Sequence, residues 1–590
     1  GGGPAGIAAA IELGQAGVDT LLVDDKAELG GKLTLQTHQF FGSVKDCWAG
    51  TRGIEIGRKL EQELAHLPGV RVWRSAVCLG AFADGRVGVL RQGRRSEYRL
   101  VVPRLLLVAA GAREKALVFP GNDLPGVYGA GAFQTLVNRD RVLAARRLFV
   151  LGGGNVGLIG AYHALQAGIR VVGLVEALPQ CGGYAVHEDK IRRLGVPIWT
   201  GHTVVRAHGD DVLRSVTIAA LDERLRPRAG SERSFAVDTL LLAVGLSPVD
   251  ELAVQAEANG IPVLRAGDAE EIAEASAAIF SGRLAGRRAA ARLGRPIELP
   301  AEWTRLVEVM KSRPGPRQPL AVPEPPAESA AVPVLRCSQS IPCDPCVEAC
   351  PHGLIGKAGG ILDLPLFSGN CTGCARCVIA CPGLAVVLVH QDHDPRQRMA
   401  RLVLPYELLE ETLPPNGEVT TVGAGGEVVG KGRVLAVRRR RARDRRRLIE
   451  LEVPWAERLQ VAGFRLWEPE KGRTEGAGEG AREGELEEER AREAEDALVC
   501  QCERVRRSKI RAAISDGVRD MNQLKAITRA GMGACAGKTC RELILRLFRE
   551  QGVSPTEVVL PTARPLVAET PLAVFAGVLE DLPAGEGEGR

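Results

Sequence analysis

The sequence of 590 residues contains no run of about 18 apolar residues, so no transmembrane helix is expected. No signal-like segment opens it. It also has no starting Met and begins inside a glycine motif; a first strand is therefore expected to be missing ahead of Gly1. Charge of one sign is lacking too. Lys and Arg number 77 against 72 Asp and Glu, a net +5, and no global field points to nucleic acid or a membrane surface. What remains is a chain that is 45% apolar. It can fold, but it is too long for one core, and three to five domains are expected.

Cysteine is the abundant exception. There are 15, of which eight fall between Cys337 and Cys381 and four between Cys500 and Cys540. Metal-type spacing without a secretory signal indicates reduced thiolates and a cytoplasmic protein.

Strand-like runs at 20–23, 105–109, 148–151, 171–175 and 240–244 alternate with Ala-rich helical stretches across residues 1–300. Pro314 to Pro333 breaks that pattern. Residues 468–497 are rich in Glu, Gly, Arg and Ala, as a disordered or loosely helical linker would be. The expected fold class is multi-domain α/β, with two Rossmann-like dinucleotide-binding domains, a ferredoxin-like segment, a small β unit and a small helical domain. The expected boundaries are 1–145 and 246–300 for the first dinucleotide domain in two parts, and 146–245 for the second. A Pro-rich linker follows at 301–335, the cysteine segment at 336–395 and the β unit at 396–467. An acidic linker at 468–498, the helical domain at 499–553 and a tail at 554–590 complete the chain.

Gly1, Gly3 and Gly6 form G-x-G-x-x-G ahead of a helical run, and a strand then ends in Asp24. The glycines allow backbone to approach a pyrophosphate, the helix N-terminus supplies N–H donors, and the acid accepts from ribose hydroxyls. Alone the motif is weak, since a chance glycine turn looks the same. Gly30-Gly31, the strand leading into Ala109-Ala110-Gly111-Ala112, and Ala266-Gly267-Asp268 ahead of a long Ala-rich helix strengthen it. The motif repeats at Gly152, Gly154 and Gly157, with Glu176 ending the next strand. An acid there favours NAD over NADP; the plain alternative is a retained scaffold that binds nothing.

This order over residues 1–295 resembles the two-dinucleotide-domain flavoproteins, the class of the pyridine nucleotide–disulfide oxidoreductases. The resemblance implies FAD held by Gly1, Gly3, Gly6, Asp24, Gly31, Gly111, Gly267 and Asp268, with Asp268 on the ribityl chain, and NAD(H) at the second motif. A departure is clear: Cys47, Cys78 and Cys181 have no partner at close spacing, so disulfide reduction is not expected and these three read as ordinary thiols.

Cys371, Cys374, Cys377 and Cys381 make C-x2-C-x2-C-x3-C before Pro382, the bacterial ferredoxin run. Cys337, Cys343, Cys346 and Cys350 make a variant with a longer first gap before Pro351. Zinc normally takes two cysteine pairs with a longer insert between them, so two [4Fe–4S] clusters are favoured. Likeness to two-cluster ferredoxins implies that the fourth cysteine of each run crosses over. Cys337, Cys343, Cys346 and Cys381 then hold one cluster, and Cys371, Cys374, Cys377 and Cys350 the other. Cys500, Cys502, Cys535 and Cys540 have C-x-C and C-x4-C spacing. That stretch resembles the bacterioferritin-associated ferredoxin domain, which implies one [2Fe–2S] cluster; zinc is the alternative.

Eight arginines lie within 438–447. The run sits between two apolar strand-like segments, without interleaved aromatics, and reads as a solvated hairpin turn rather than a nucleic-acid site. His163 and His187 read as surface or core residues. The whole order resembles the large subunits of multi-subunit amine and amino-acid dehydrogenases of the sarcosine oxidase, proline dehydrogenase, opine oxidase and hydrogen cyanide synthase kind; Phe119–Val127 followed by Gly129-Ala130 shares that look. An FAD-dependent oxidoreductase subunit is implied. It would take electron pairs from NADH or from a partner flavoprotein and pass single electrons to a ferredoxin or quinone-linked carrier, within a hetero-oligomer. No catalytic acid or base is singled out.

Overall fold

The computed structural model describes the chain except residues 94–95, 312, 321, 323, 327–328, 395, 397, 410, 412, 414–416, 440–445, 475–496, 563–565 and 576–590. Most of the expected acidic linker and the middle of the arginine run thus lie outside the described residues.

The first glycine motif opens helix Pro4–Gln15, with Pro4 and Gly3 at its start. Pro suits a first helical turn because its missing N–H has no partner there anyway. This helix packs along helix Ala275–Arg292 so closely that backbone meets backbone: a Cβ on Gly282 would lie 2.1 Å from the Ala5 carbonyl oxygen. Ile7, Ile11, Leu60 and Phe280 fill the core beside them. Strand Thr20–Val23 pairs in parallel with Val70–Trp73, and Leu106–Val108 with Val263–Arg265.

The second motif opens helix Asn155–Gln166, which follows strand Arg147–Leu151. Five parallel strands stand in the order 198–200, 170–176, 147–151, 239–242, 127–129. The helix is buried from Gly157 to Gln166 without a break, because a second sheet covers its other side. A helix buried all round needs few charges, and this one carries no Asp, Glu, Lys or Arg.

That second sheet has seven strands, in the order 331–335, 386–394, 399–406, 447–454, 428–439, 418–422, 463–464. Val387, Leu402 and Ile449 join Leu148, Tyr162 and Leu165 in one core. Strands at both ends of the cysteine segment therefore belong to the same sheet as the β unit, and the sheet runs across the expected boundary at 395/396. The stretch expected as a Pro-rich linker also begins with structure: helix Ala301–Lys311 buries Val307 and Met310 against the first domain.

Residues 498–550 form a hairpin and the helices Arg507–Ser515, Met521–Thr528 and Cys540–Glu550 around Ile510, Leu524 and Phe548. The chain then returns to the first domain. Val574 packs with Leu79 and Leu90, and the Val567 N–H donates to the Leu79 carbonyl at 2.6 Å.

Candidate functional site

The two glycine motifs are built alike. A Cβ on Gly6 would lie 1.7 Å from the Gly1 carbonyl oxygen, and one on Gly157 would lie 1.9 Å from that of Gly152. Gly2 N–H donates to Asp24 Oδ2, as Gly153 N–H does to Glu176 Oε2 at 2.7 Å. Lys26 and Leu178 N–H groups occupy the other carboxylate oxygens at 2.8 and 2.9 Å. Each acid thus locks its glycine loop to the end of its strand.

They differ in what lies in front. Gly1, Gly3, Gly6, Asp24, Gly31, Gly111 and Asp268 line a cavity of about 2020 Å³. Gly267 has a left-handed φ of +61°, and a Cβ there would lie 2.7 Å from that of Ala5. Gly3 and Gly111 leave their Cβ directions open, as a pyrophosphate and ribityl chain require. Burial raises the Asp268 carboxyl, against an N–H bond from Ala273 and the charge of Lys32. These residues fit FAD. At the second motif, Cys181 Sγ stands beside Gly153 and the Gly183 N–H donates to the Gly153 carbonyl at 3.1 Å. Asn155 accepts from the Tyr184 N–H at 2.7 Å and donates to Glu274 at 2.5 Å. The Asn155 side chain is thus engaged by Tyr184 and Glu274, while Gly154 leaves its Cβ direction open and Asn155 and Val156 line the large cavity.

The cysteines of the ferredoxin-like segment gather in two groups that exchange their last members. Cys381 bears electrostatically on Cys337, Cys343 and Cys346. Cys371 bears on Cys377, and Cys350 on Cys371. Burial pushes the Cys346 thiol up to about 12, with Cys381 adding to it; such thiols need nearby positive charge, as a bound metal would supply, to ionise. Cys337, Cys343, Cys346 and Cys381 line one small cavity. Among the described residues, no three His, Cys, Asp or Glu side chains close on a single metal ion. A four-iron cluster spreads its thiolates over separate irons, so its sulfurs stand farther apart than ligands about 2.3 Å from one zinc.

This segment is seated on the first domain. Gly42 bridges to Cys343, Val44 N–H donates to Asp344 Oδ1 at 2.9 Å, and Gly50 meets Pro345. The consequence is close: Phe40 lines the large cavity, and Phe41 lines the cavity of Cys337, Cys343, Cys346 and Cys381.

Between the two domains lies a buried polar core that sequence reasoning missed. Glu407 accepts from Tyr162 at 2.8 Å, Gln166 at 2.9 Å, Arg446 at 2.9 Å and Arg52 at 3.2 Å. Burial alone would raise its carboxyl; Arg446 and Arg52 hold it down at about 2. Arg446 also donates to the Cys381 carbonyl at 2.7 Å. The expectation of a solvated arginine turn is corrected at this residue: strands 428–439 and 447–454 do form a hairpin, but Arg446 is buried because it is the counter-ion of Glu407 and a clamp on the cluster loop. Lys190 Nζ lies 4.0 Å from the Tyr162 ring centre, and burial lowers its ammonium to about 7. His38, His163 and His187 share this core, all buried. No single-residue signal marks them; only the register of helix Asn155–Gln166 under the second sheet does.

In the C-terminal domain, Cys500, Cys502, Cys535 and Cys540 come together: Cys502 is within side-chain hydrogen-bond reach of Cys535, and Cys540 of Cys500. Gly531 N–H approaches Cys500 Sγ at 3.5 Å, and a Cβ on Gly533 would lie 2.4 Å from the Cys502 Cβ. The Phe119–Val127 stretch proves to be the dock for this domain. Asn122 exchanges two hydrogen bonds with the Leu498 backbone at 2.9 and 3.3 Å, and Arg504 pairs with Asp123 at 2.9 Å. Lys538, between two of the cysteines, lines the large cavity.

Comparison with known proteins agrees with this geometry. Residues 1–271 match the family model for pyridine nucleotide-disulphide oxidoreductases, and residues 498–550 that for the BFD-like [2Fe-2S] binding domain. The chain is 30% identical over 288 residues to sarcosine oxidase subunit alpha of Rhizobium meliloti, covering 47% of this chain and 26% of that protein. It is 28% identical over 326 residues to hydrogen cyanide synthase subunit HcnB of Pseudomonas protegens, covering 48% of this chain and 68% of that one. In fold it is similar to L-proline dehydrogenase from P. horikoshii, with a TM-score of 0.52 at 16% identity over 98% of this chain and 78% of that chain. The chain thus carries an FAD-dependent oxidoreductase module and a [2Fe–2S]-binding module, and its relatives are subunits of larger enzymes. No described helix is long and apolar enough to cross a membrane.

Proposed function

We propose that this chain is the electron-distributing subunit of a flavoprotein complex. FAD, when bound, exchanges electron pairs and can release them singly, and iron–sulfur clusters carry one electron each. The chain's own residues set the order. The observation that carries the reading is the pair Phe40 and Phe41, neighbours in sequence, one on the wall of the dinucleotide cavity and the other on the wall of the cavity of Cys337, Cys343, Cys346 and Cys381. That group is the near [4Fe–4S] site. Cys350, Cys371, Cys374 and Cys377 form the far one, beside exposed Pro351, His352, Thr372 and Arg376. Cys500, Cys502, Cys535 and Cys540 hold the [2Fe–2S] cluster.

Two sources of electrons are distinguishable. Glu176, locked to Gly153 as Asp24 is to Gly2, supports NAD(H) at Gly152, Gly154 and Gly157; Glu274 would then have to leave Asn155. The second source is a partner flavoprotein subunit that oxidises a small amine, amino acid or opine, in keeping with what the relatives are called. The far cluster then serves a ferredoxin or quinone-linked carrier. Anaerobic addition of NADH to the reconstituted full chain, read by visible absorbance and low-temperature electron paramagnetic resonance, tests this. Flavin bleaching followed by reduced-cluster signals makes NADH the donor. Silence with NADH but full reduction by dithionite makes the partner subunit the donor. Reconstitution without bound flavin overturns the proposal.

A further inference from the structure

Asp24, the ribose-binding acid, follows strand Thr20–Val23 of the first domain, whereas Gln36, His38, Gln134 and Ile159 line the same cavity, with Ile159 and the His163 partner of His38 on helix Asn155–Gln166 of the second domain. With the adenosine of a dinucleotide at Asp24, its ring system is assigned to the side that faces this helix. His38 is joined to a buried hydrogen-bond chain. Its Nδ1 lies 3.1 Å from His163 Nε2, and His163 Nδ1 lies 2.9 Å from Asn138 Nδ2.

The protons in this chain follow from one carbonyl. Asn138 Nδ2 is also 2.7 Å from the Leu35 carbonyl oxygen. A carbonyl only accepts, so the Asn138 atom facing it is the NH2 group, and the same NH2 faces His163 Nδ1. His163 Nδ1 therefore accepts. A neutral ring then carries its proton on Nε2 and donates it to His38 Nδ1. His38 in turn carries its proton on Nε2, which makes no hydrogen bond among the described residues. Both rings stay neutral. Burial lowers His163 to about 3, with Lys190 and Arg52 adding to it and Glu407 opposing. Burial also lowers His38 well below its ordinary value, with His163, Lys190, His187 and Arg52 acting the same way.

We propose that Asn138 and His163 are positioning residues that fix His38 as a neutral Nε2–H donor to a carbonyl on the ring system of the bound flavin. This rests on the FAD reading of the cavity and goes beyond it by assigning the polarity of one wall. A donor at a flavin carbonyl favours the electron-rich reduced ring over the oxidised one. The relay thereby raises the flavin potential, setting how readily the cofactor gives electrons to the cluster behind Phe41.

The test is spectroelectrochemistry on the reconstituted full chain, with flavin content measured for every variant. H38L removes the donor; H38Q keeps an amide N–H at nearly the same place. N138D leaves the cavity wall untouched but reverses the chain: a carboxylate takes a proton from His163 Nδ1, His163 Nε2 accepts from His38 Nδ1, and His38 Nε2 presents a lone pair. The expected result is a flavin midpoint lowered in H38L and N138D and close to wild type in H38Q. A tenfold loss of preference for the reduced ring is about 30 mV for a two-electron couple. Wild-type midpoints in H38L and N138D with flavin fully bound would overturn the assignment. Equal lowering in H38L and H38Q would do so too, since it would mark a packing role. Loss of flavin from wild-type protein itself would instead bring down the FAD reading.

Discussion

Glu407 and the three histidines show how single residues acquire their character from neighbours far away in sequence. Four donors surround one buried carboxylate, which is why Arg446 leaves its arginine run for the interior. Breaking a buried ion pair typically costs about 3–5 kcal/mol, and removal of Arg446 would leave Arg52 as the remaining arginine on Glu407. His163 carries a pH consequence. It titrates near 6.5 when unfolded and near 3 in the fold. Above 6.5 both states hold it neutral and its contribution is complete. As pH falls below 6.5, the unfolded state takes a proton that the fold refuses, and stability declines toward pH 3. Between pH 7.5 and 5.5 one such histidine removes about 1 kcal/mol. His163→Gln removes that titration, so thermal melts of the holoprotein at the two pH values should differ less for the variant than for wild type. An equal drop in both would show that His163 already takes up its proton in the fold.

At the scale of elements, the dinucleotide cavity depends on helices that touch through glycine. Gly282 lets helix Ala275–Arg292 sit against the backbone of helix Pro4–Gln15, and Gly286 does the same at Ala9. Both helices carry cavity residues, including Gly6, Ala9, Ala10 and Ala278. Gly282→Val must push them apart, since the obstacle is backbone rather than a movable side chain. Overpacking of this kind costs about 1–3 kcal/mol. FAD affinity is expected to fall at least tenfold, measured by flavin fluorescence titration of the apoprotein. Gly356→Ala, with open space around its Cβ, should leave that affinity unchanged. Unaltered binding in Gly282→Val would mean that the cavity tolerates a wider helix spacing.

For the whole molecule, the arrangement of modules decides the route of electrons. The cysteine segment is pinned to the first domain at Gly42, Val44 and Gly50, and the seven-stranded sheet clamps it to the second. The [2Fe–2S] domain is held separately by Asn122 and by the returning tail at Val567 and Val574. The near and far cluster sites should therefore fail differently. Cys374→Ala should leave the near cluster reducible by the flavin while slowing delivery to an external one-electron carrier at least tenfold. Cys343→Ala should stop flavin electrons from reaching either [4Fe–4S] site. Rapid-freeze paramagnetic resonance separates the two, and far-cluster reduction at the wild-type rate in Cys343→Ala would show that the flavin reaches that site by another path.

What the sequence determined by itself was local chemistry. Gly1, Gly3 and Gly6 with Asp24, and the cysteine spacings at 337–381 and 500–540, carry their meaning within a few tens of residues, because a phosphate loop or a cluster loop is one turn of chain with fixed donors. Strands such as 20–23 and 171–175 were legible for the same reason: their hydrophobic pattern is their own. The tertiary structure alone decided which cysteine group stands next to the dinucleotide cavity, what engages Asn155 at the second glycine motif, and why Arg446 and three histidines are buried. Those outcomes depend on pairs such as Tyr162 and Glu407, 245 positions apart, or Asn122 and Leu498, 376 apart. Such pairs leave no local pattern, since each side chain is ordinary until the packing of two sheets on one helix removes its water.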